Sequence, residues 1–208
     1  MRTQADIFTT YEISRLLSVD ISTVINWINQ EKLPAYRTPG GHRRVRKEDL
    51  FSFAKVYGIP LKDTPSERVI LIVEDDADFR RVVKDLVKIR YGEGLSVFEA
   101  DDGFMAGKMT EELGPDVVIL DLYLPGINGF KVCEDIRRDP DLRGTRILAI
   151  SGHNTEEIRA RILKAGADDF LPKPFGLDQL GLALDALLKR NVDTAKQPLN
   201  GSQKKESN

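Results

Sequence analysis

Five side chains that could bind a metal ion or a phosphoryl group each follow a short apolar segment of the chain. They are Glu74 and Asp75 after the first segment, Asp121 at the end of the third, Ser151 after the fourth and Lys173 after the fifth. If the segments are parallel strands, these residues meet at one edge of a sheet. Three carboxylates placed there repel one another unless a hard divalent cation such as Mg²⁺ binds between them. An aspartate beside a metal and a lysine can attack a phosphoryl donor, so the pattern predicts phosphoryl chemistry.

Alternating strands and helices would position these residues. From Val69 onward, short apolar runs alternate with longer stretches of helical periodicity, which is typical of βα units around a parallel sheet. The predicted strands are Val69–Val73, Leu95–Glu99, Val117–Leu120, Arg146–Ile150 and Asp168–Leu171. The predicted helices lie near 77–90, 103–112, 128–138, 155–165 and 175–189. The fold class is therefore predicted to be α/β, with a five-stranded doubly wound parallel sheet.

Four motifs in residues 68–190 resemble those of the response-regulator receiver family. Ser151 comes 30 positions after Asp121 and Lys173 comes 52 positions after it, which is the spacing of this family. The motifs are Leu71-Ile72-Val73-Glu74-Asp75-Asp76, Asp121-Leu122-Tyr123-Leu124-Pro125-Gly126-Ile127-Asn128-Gly129, Ser151-Gly152 and Gly166-Ala167-Asp168-Asp169-Phe170-Leu171-Pro172-Lys173-Pro174-Phe175. The resemblance implies a flavodoxin-like fold, Mg²⁺ as cofactor, and a sensor histidine kinase or phosphotransfer protein as partner.

The same resemblance implies a role for each residue at the predicted edge of the sheet. Asp121 is expected to be the phosphorylated residue and Asp75 a direct ligand of Mg²⁺. Glu74 would act mainly through metal-bound water, and the backbone carbonyl of Tyr123 should complete the protein ligands of the metal. Lys173 is expected to pair with the phosphoryl group.

The family resemblance also implies properties of residues around the phosphorylation site. Ser151 should hydrogen-bond the phosphoryl group, and Phe170 occupies the position of a switch aromatic residue that moves inward after phosphorylation. Lys173-Pro174 matches a peptide bond that is usually cis in the family, although cis is otherwise a minority state. Tyr123 and His153 should flank the phosphoryl group, where they either tune the access of water or are solvated loop residues.

The first part of the chain has the pattern of a helix-turn-helix. A first helix, capped at Thr9-Thr10, is predicted to end at Leu17. A second helix, capped by Asp20 or Ser22, is predicted to end before Pro34. A β-hairpin wing is predicted over 35–45, because it contains glycines and a proline between basic residues, and a closing helix over 46–57.

This segment resembles the excisionase and MerR-type winged helix-turn-helix family over about 50 residues. The matching motifs are Tyr11-Glu12-Ile13-Ser14-Arg15-Leu16-Leu17, Val24-Ile25-Asn26-Trp27-Ile28 and Leu33-Pro34-Ala35-Tyr36-Arg37-Thr38-Pro39-Gly40-Gly41-His42-Arg43-Arg44-Val45. The resemblance implies binding of double-stranded DNA. Polar residues of the second helix would contact the DNA groove. Basic residues of the wing would contact the phosphates. The predicted DNA contacts are Ser22, Thr23, Asn26, Arg37, His42, Arg43 and Arg44.

Composition and charge agree with this division. Residues 1–62 carry a net charge of +4 and residues 63–190 a net charge of −7, which suggests a nucleic-acid surface on the first part. With 41% hydrophobic and 31% charged residues, the chain is typical of a globular protein. It has neither an apolar run long enough for a membrane span nor a signal-peptide pattern, so we expect a cytoplasmic protein. The single cysteine, Cys133, excludes an internal disulfide and is expected to pack in the core.

The predicted organisation is a winged helix-turn-helix domain over 1–58, a linker over 59–67, a receiver domain over 68–190 and a disordered tail over 191–208. We expect a two-component response regulator that binds DNA and regulates transcription. Whether phosphorylation leads to a homodimer is left open. An alternative is a phosphorelay or signalling adaptor whose N-terminal domain binds protein. An enzyme acting on its own substrate is not expected, because outside the receiver edge there is no pairing of a nucleophile with a base.

Overall fold

A computed structural model of the chain describes residues 7–61 and 68–193. Most of the predicted linker, 59–67, lies outside the described residues. So does the predicted tail, 191–208, except that residues 191–193 continue the last helix. The described residues form a small three-stranded sheet with three helices, followed by a five-stranded sheet with five helices.

The N-terminal part has the predicted helix-turn-helix and wing. Its elements are β1 (Ile7–Phe8), α1 (Thr10–Leu17), α2 (Ile21–Asn29), β2 (Tyr36–Arg37), β3 (Arg43–Arg46) and α3 (Lys47–Tyr57). Strand β3 pairs antiparallel with both β1 and β2. The sequence pattern does not predict β1, because a strand of two residues is too short to show alternation.

Capping interactions and a small apolar core account for these helices. Thr9 and Glu12 form a capping box at the start of α1, with each side chain accepting a hydrogen bond from the backbone N–H of the other residue. Asp20 stands at the cap position of α2, although its side chain makes no capping hydrogen bond. Ile13, Val24 and other apolar residues pack between the three helices and β3.

The larger sheet is entirely parallel. Its strands are β4 (Arg68–Val73), β5 (Leu95–Ala100), β6 (Val117–Asp121), β7 (Arg146–Ser151) and β8 (Asp169–Pro172), in the spatial order β5-β4-β6-β7-β8. Each strand lies within one residue of its predicted bounds. This order is that of the flavodoxin-like doubly wound fold, which confirms the predicted fold class.

Helices cover both faces of this sheet. They are α4 (Ala77–Tyr91), α5 (Gly103–Leu113), α6 (Gly129–Arg138), α7 (Glu156–Ala165) and α8 (Leu177–Asp193). Side chains of α5, α6 and α7 pack in one core cluster with Leu71 and Val73, whereas those of α4 and α8 pack in a second cluster with Ile70 and Ile72. Neighbouring residues of a strand thus point to opposite faces, and both faces are buried.

None of the helices in residues 7–61 and 68–193 combines the length and the apolar character needed to cross a membrane.

Candidate functional site

The carboxyl ends of β4 and β6 bring three carboxylates together. The two strands are neighbours, with Val73 paired to Leu120, so the residues that follow them lie at one edge of the sheet. Oxygen atoms of Glu74, Asp75 and Asp121 all lie within 4.8 Å of one another. Carboxylate oxygens at this separation suit a hard cation such as Mg²⁺, which also takes water ligands. The donor set therefore fits the predicted magnesium site.

Lys173 connects two of these carboxylates. Its ammonium group donates hydrogen bonds to Asp121 Oδ2 at 2.6 Å and to Glu74 Oε2 at 2.5 Å. Lys173 directly follows β8, and its backbone N–H donates to the carbonyl of Ser151 at 2.8 Å, which holds it at the end of β7. The Lys173-Pro174 peptide bond is cis, as expected from the family resemblance.

Burial and charge shift the protonation of this cluster. Glu74 is only 1% exposed. This burial raises its pKa to about 7, helped by the charge of Asp121 and opposed by the hydrogen bond from Lys173. Burial also disfavours the charged form of Lys173, but hydrogen bonds to Asp121 and Glu74 outweigh it, so the pKa of Lys173 lies above its usual value. Lys173 thus remains a cation beside two buried acids.

The remaining predicted site residues surround Asp121. The backbone N–H of Tyr123 donates to Asp121 Oδ1 at 3.0 Å. Ser151 follows Ile150, the residue paired with Asp121, and its hydroxyl accepts a hydrogen bond from the His153 N–H at 3.0 Å. The rings of Tyr123 and His153 lie 4.5 Å apart between centroids, and both residues are exposed. The two rings therefore stand together at the mouth of the site.

Phe170 lies in the interior. It is 4% exposed and packs in the same core cluster as Ile162 and Ala167. In this structure the aromatic side chain already has an inward position. Its movement on phosphorylation stays a prediction.

One residue at the site, Phe79, is not indicated by the sequence pattern. The ring of Phe79, in the first turn of α4, lies 4.3 Å from Lys173 Nζ, which is a cation–π distance. Phe175 packs edge-on against this ring, with 5.5 Å between centroids. Phe79 belongs to the apolar side of a predicted helix, so its sequence pattern indicated packing rather than contact with the lysine.

Helix α2 presents the polar residues that were predicted to contact DNA. Ser22 and Asn26 are exposed and Thr23 is partly exposed, while Val24 faces the core. These three polar side chains thus share the outer side of the second helix of the helix-turn-helix. This is the side that such motifs place in the major groove.

The wing residues divide into exposed and buried ones. The side chain of Arg37 is 57% exposed, and Arg43 is partly exposed. Arg44 is 9% exposed and donates to the carbonyl of Arg43, and His42 is 4% exposed and contacts the carboxylate of Asp139 in the larger domain. His42 and Arg44 are therefore not accessible to DNA in this arrangement, and their DNA contacts remain predictions.

Comparison with known families agrees with the fold. The family described as response regulator receiver domain matches residues 70–185, and a helix-turn-helix domain family matches residues 7–55. The chain belongs to the response-regulator receiver family and carries an N-terminal helix-turn-helix domain. Receiver domains are not a typical enzyme family.

Several curated relatives are DNA-binding response regulators by name. The response regulator MtrA of Mycobacterium bovis is 36% identical over 138 residues, which cover 66% of this chain and 58% of MtrA. The alkaline phosphatase synthesis transcriptional regulatory protein SphR of Synechococcus elongatus is 39% identical, over 64% of this chain and 53% of SphR. The chain thus spans little more than half the length of these relatives.

Solved structures of receiver domains resemble the chain as well. The receiver domain of a DNA-binding response regulator from Colwellia psychrerythraea is 29% identical with a TM-score of 0.55, covering 59% of this chain and 98% of that one. The chemotaxis response regulator CheY4 of Vibrio cholerae is 26% identical with a TM-score of 0.55, covering 59% of this chain and 100% of CheY4.

Proposed function

We propose that the chain is a two-component response regulator that accepts a phosphoryl group on Asp121 and binds duplex DNA through its N-terminal domain to regulate transcription. The observation that carries the proposal is the set of contacts around Asp121. Its carboxylate is 6% exposed, receives the Lys173 ammonium at 2.6 Å, and lies within 4.8 Å of oxygen atoms of Glu74 and Asp75. A carboxylate that is paired with an ammonium group and lies beside oxygen donors for a hard cation is suited to attack phosphorus.

The proposed reaction transfers the phosphoryl group from a phosphohistidine of a sensor kinase or phosphotransfer protein. A carboxylate oxygen of Asp121 forms a bond to phosphorus while the P–N bond of the donor breaks, and the departing imidazole takes a proton from solvent. Lys173 then shares its hydrogen bonds between Asp121 and the phosphoryl oxygens. The backbone N–H of Tyr123, 3.0 Å from Asp121 Oδ1, orients the carboxylate.

Mg²⁺ is the proposed cofactor, held by Asp75 and Asp121, with Glu74 acting through metal-bound water and the Tyr123 carbonyl as a further ligand. When bound, it supplies positive charge that offsets the charge of the phosphoryl oxygens during transfer. Ser151 would hydrogen-bond one of these oxygens. His153 and Tyr123, at the mouth of the site, would limit the access of the water that removes the phosphoryl group.

DNA is the second proposed ligand. Ser22, Thr23 and Asn26 on the outer side of α2 would contact base edges, and Arg37 and Arg43 would contact phosphates. A single winged helix covers little DNA, so pairing of two phosphorylated chains would raise affinity by avidity. A receiver attached to such a domain makes DNA affinity dependent on phosphorylation.

The phosphorylation test uses acetyl phosphate and Mg²⁺ with the full chain, and intact-mass spectrometry measures the added phosphoryl group. We expect one group on the wild type, none on Asp121→Asn, and one on the control Asp101→Asn, which removes an exposed carboxylate directly after β5. Equal labelling of Asp121→Asn and the wild type would refute the assignment.

The DNA test measures binding to duplexes from the region around the chain's own gene at about 50 and 200 mM salt, with and without acetyl phosphate. Salt-sensitive binding that the phosphodonor changes in the wild type but not in Asp121→Asn supports the proposal. If no duplex is bound in either state, the result contradicts the proposed DNA binding and favours the adaptor alternative, which a search for protein partners of the N-terminal domain would then test.

A further inference from the structure

The N-terminal domain packs against the larger domain through the start of α1. The ring of Tyr11 meets Phe98 edge-on, with 5.2 Å between centroids, and Tyr11 forms a buried cluster with Val69 and Leu113. The hydroxyl of Thr10, a residue only 3% exposed, donates to the carbonyl of Glu112 at 3.1 Å. This interface is partly apolar and involves the C-terminal end of α5.

The wing makes a second, charged contact with the larger domain. The imidazole of His42 contacts the carboxylate of Asp139, and both side chains are almost fully buried, at 5% and 11% exposure. Gly40 lies against the same carboxylate, because a Cβ at this position would be 2.1 Å from Asp139 Oδ2. Arg37 Nη1 lies 3.7 Å from Glu111 Oε1. The acidic domain thus buries His42 and places the carboxylate of Glu111 beside the exposed Arg37, and both residues are predicted DNA contacts of the wing.

One ring nitrogen of His42 lacks a hydrogen-bond partner at this contact. In the described part of the chain, the Nδ1 atom of His42 is buried and has no hydrogen-bond partner. An unpaired buried nitrogen is a free-energy cost of the closed arrangement that solvent exposure would remove. The interface is therefore suited to opening.

Helices α5 and α6 connect this interface to the phosphorylation site. At the start of α6, a Cβ on Gly129 would be 2.1 Å from the Asp121 carbonyl oxygen, and at the end of α6 Asp139 is the C-cap. At the start of α5, a Cβ on Gly103 would be 2.2 Å from the carbonyl oxygen of Ile127, in the loop that follows Asp121. The other end of α5 carries Glu111 and Glu112. Both helices thus touch the Asp121 segment at one end and the N-terminal domain at the other.

We propose that the structure is a closed state in which the receiver and DNA compete for the wing, and that α5 and α6 transmit phosphorylation of Asp121 to the His42–Asp139 contact. Close-packed helices move as units, so a shift of the Asp121 segment displaces their far ends. Opening exposes His42 and removes the carboxylate of Glu111 from beside Arg37, whose side chain is already 57% exposed. This inference rests on the proposed DNA binding.

Hydrogen exchange of the full chain, without DNA, tests closure by itself. Asp139→Ala removes the carboxylate from the receiver side, and Gly40→Ala inserts a methyl group against it without changing charge. Their controls are Asp135→Ala, which removes an exposed carboxylate of α6, and Gly144→Ala, whose new methyl group meets nothing within 4 Å. We expect amides of residues 9–14, 38–44 and 109–114 to exchange about fivefold faster or more in the first two variants only. Exchange equal to that of the controls overturns the closed state.

Measurements of DNA affinity, and of hydrogen exchange with a phosphodonor, complete the test. Without donor, Asp139→Ala should bind duplex about fivefold more tightly than the wild type and Asp135→Ala. Faster exchange with unchanged affinity would overturn the competition for the wing. Acetyl phosphate with Mg²⁺ should accelerate exchange of residues 38–44 in the wild type but not in Asp121→Asn, and no acceleration overturns the link through α5 and α6. If no form binds duplex, the proposed DNA binding fails. The exchange data still show whether the two domains form the closed state.

Discussion

Lys173 lies between Asp121 and Glu74 and donates to both carboxylates, at 2.6 and 2.5 Å, although these residues precede it by 52 and 99 positions. Its cation lies beside two acidic side chains that are both almost fully buried. The same cation is available to oxygens of an incoming phosphoryl group. We therefore expect Lys173 to have one role before the proposed transfer and another during it.

We expect Lys173→Ala to slow phosphorylation by acetyl phosphate by about 100-fold, because removal of one preorganised positive group from a transferring oxyanion has an effect of this size. Phos-tag electrophoresis over time measures the rate. Lys164→Ala, which removes an exposed lysine of α7, is the control and should leave the rate unchanged. Phosphorylation of Lys173→Ala at the wild-type rate would contradict the role of this ammonium group.

Glu74 should make the stability of the metal-free protein fall as pH rises. Its pKa is raised by burial from 4.5 to about 7, so the folded protein holds this proton more tightly than the unfolded chain. The contribution of Glu74 to stability is therefore complete below pH 4.5 and is lost as pH rises through about 7. Glu74→Gln, which resembles the protonated form, should lack this loss.

Urea unfolding in EDTA measures this effect. Between about pH 5 and pH 8, the wild type should lose about 1–3 kcal/mol of unfolding free energy relative to Glu74→Gln. Glu157→Gln, at an exposed position of α7, should follow the wild type at both pH values. A constant difference between the wild type and Glu74→Gln would show that Glu74 is ionised throughout this range.

The sequence predicted the large sheet and the clustering of Glu74, Asp75, Asp121 and Lys173 well, because both depend on local patterns, whereas phosphorylation of Asp121 stays a prediction. Apolar runs and helical periodicity gave the strands and helices, and the residues that follow parallel strands necessarily meet at one edge. The environments of His42 and Arg44 could not be predicted in this way. Asp139, 97 positions after His42, has the pattern of a solvated residue at the end of a helix. Only the packing of the two domains buries His42 and Asp139 together.

Cys133 should be unreactive in the folded protein. Burial raises the pKa of its thiol to about 11, and its Sγ lies 3.6 Å from the Ala165 carbonyl oxygen. Because the thiolate is the reactive form, reaction with a disulfide reagent near pH 8 should be about 100-fold slower than in urea. The chain has one cysteine, so denatured protein should release one equivalent of chromophore. Rapid reaction of the native protein would contradict the packing of α6 against α7.

Asn26 should contribute to sequence recognition rather than to general DNA affinity. It is exposed on the outer side of α2, and an asparagine that reads an adenine edge contributes about 1–3 kcal/mol of discrimination. Asn26→Ala should therefore weaken binding to the preferred duplex about tenfold or more and leave nonspecific binding and its salt dependence unchanged. Gln30→Ala, one residue beyond the end of α2, is the control. Equal weakening on all duplexes would assign Asn26 to the phosphates instead.

Arg43 should behave in the opposite way. It lies on β3 of the wing and is partly exposed, and we expect it to contact a phosphate without reading sequence. Arg43→Ala should weaken binding to all duplexes alike and reduce the slope of log K against log salt by about 1, because one fewer phosphate is neutralised. Fluorescence anisotropy at several salt concentrations measures the slope. Arg143→Ala, which removes an exposed arginine of the larger domain, should leave it unchanged. A loss of affinity with an unaltered slope would mean that Arg43 acts through the fold of the wing rather than through charge.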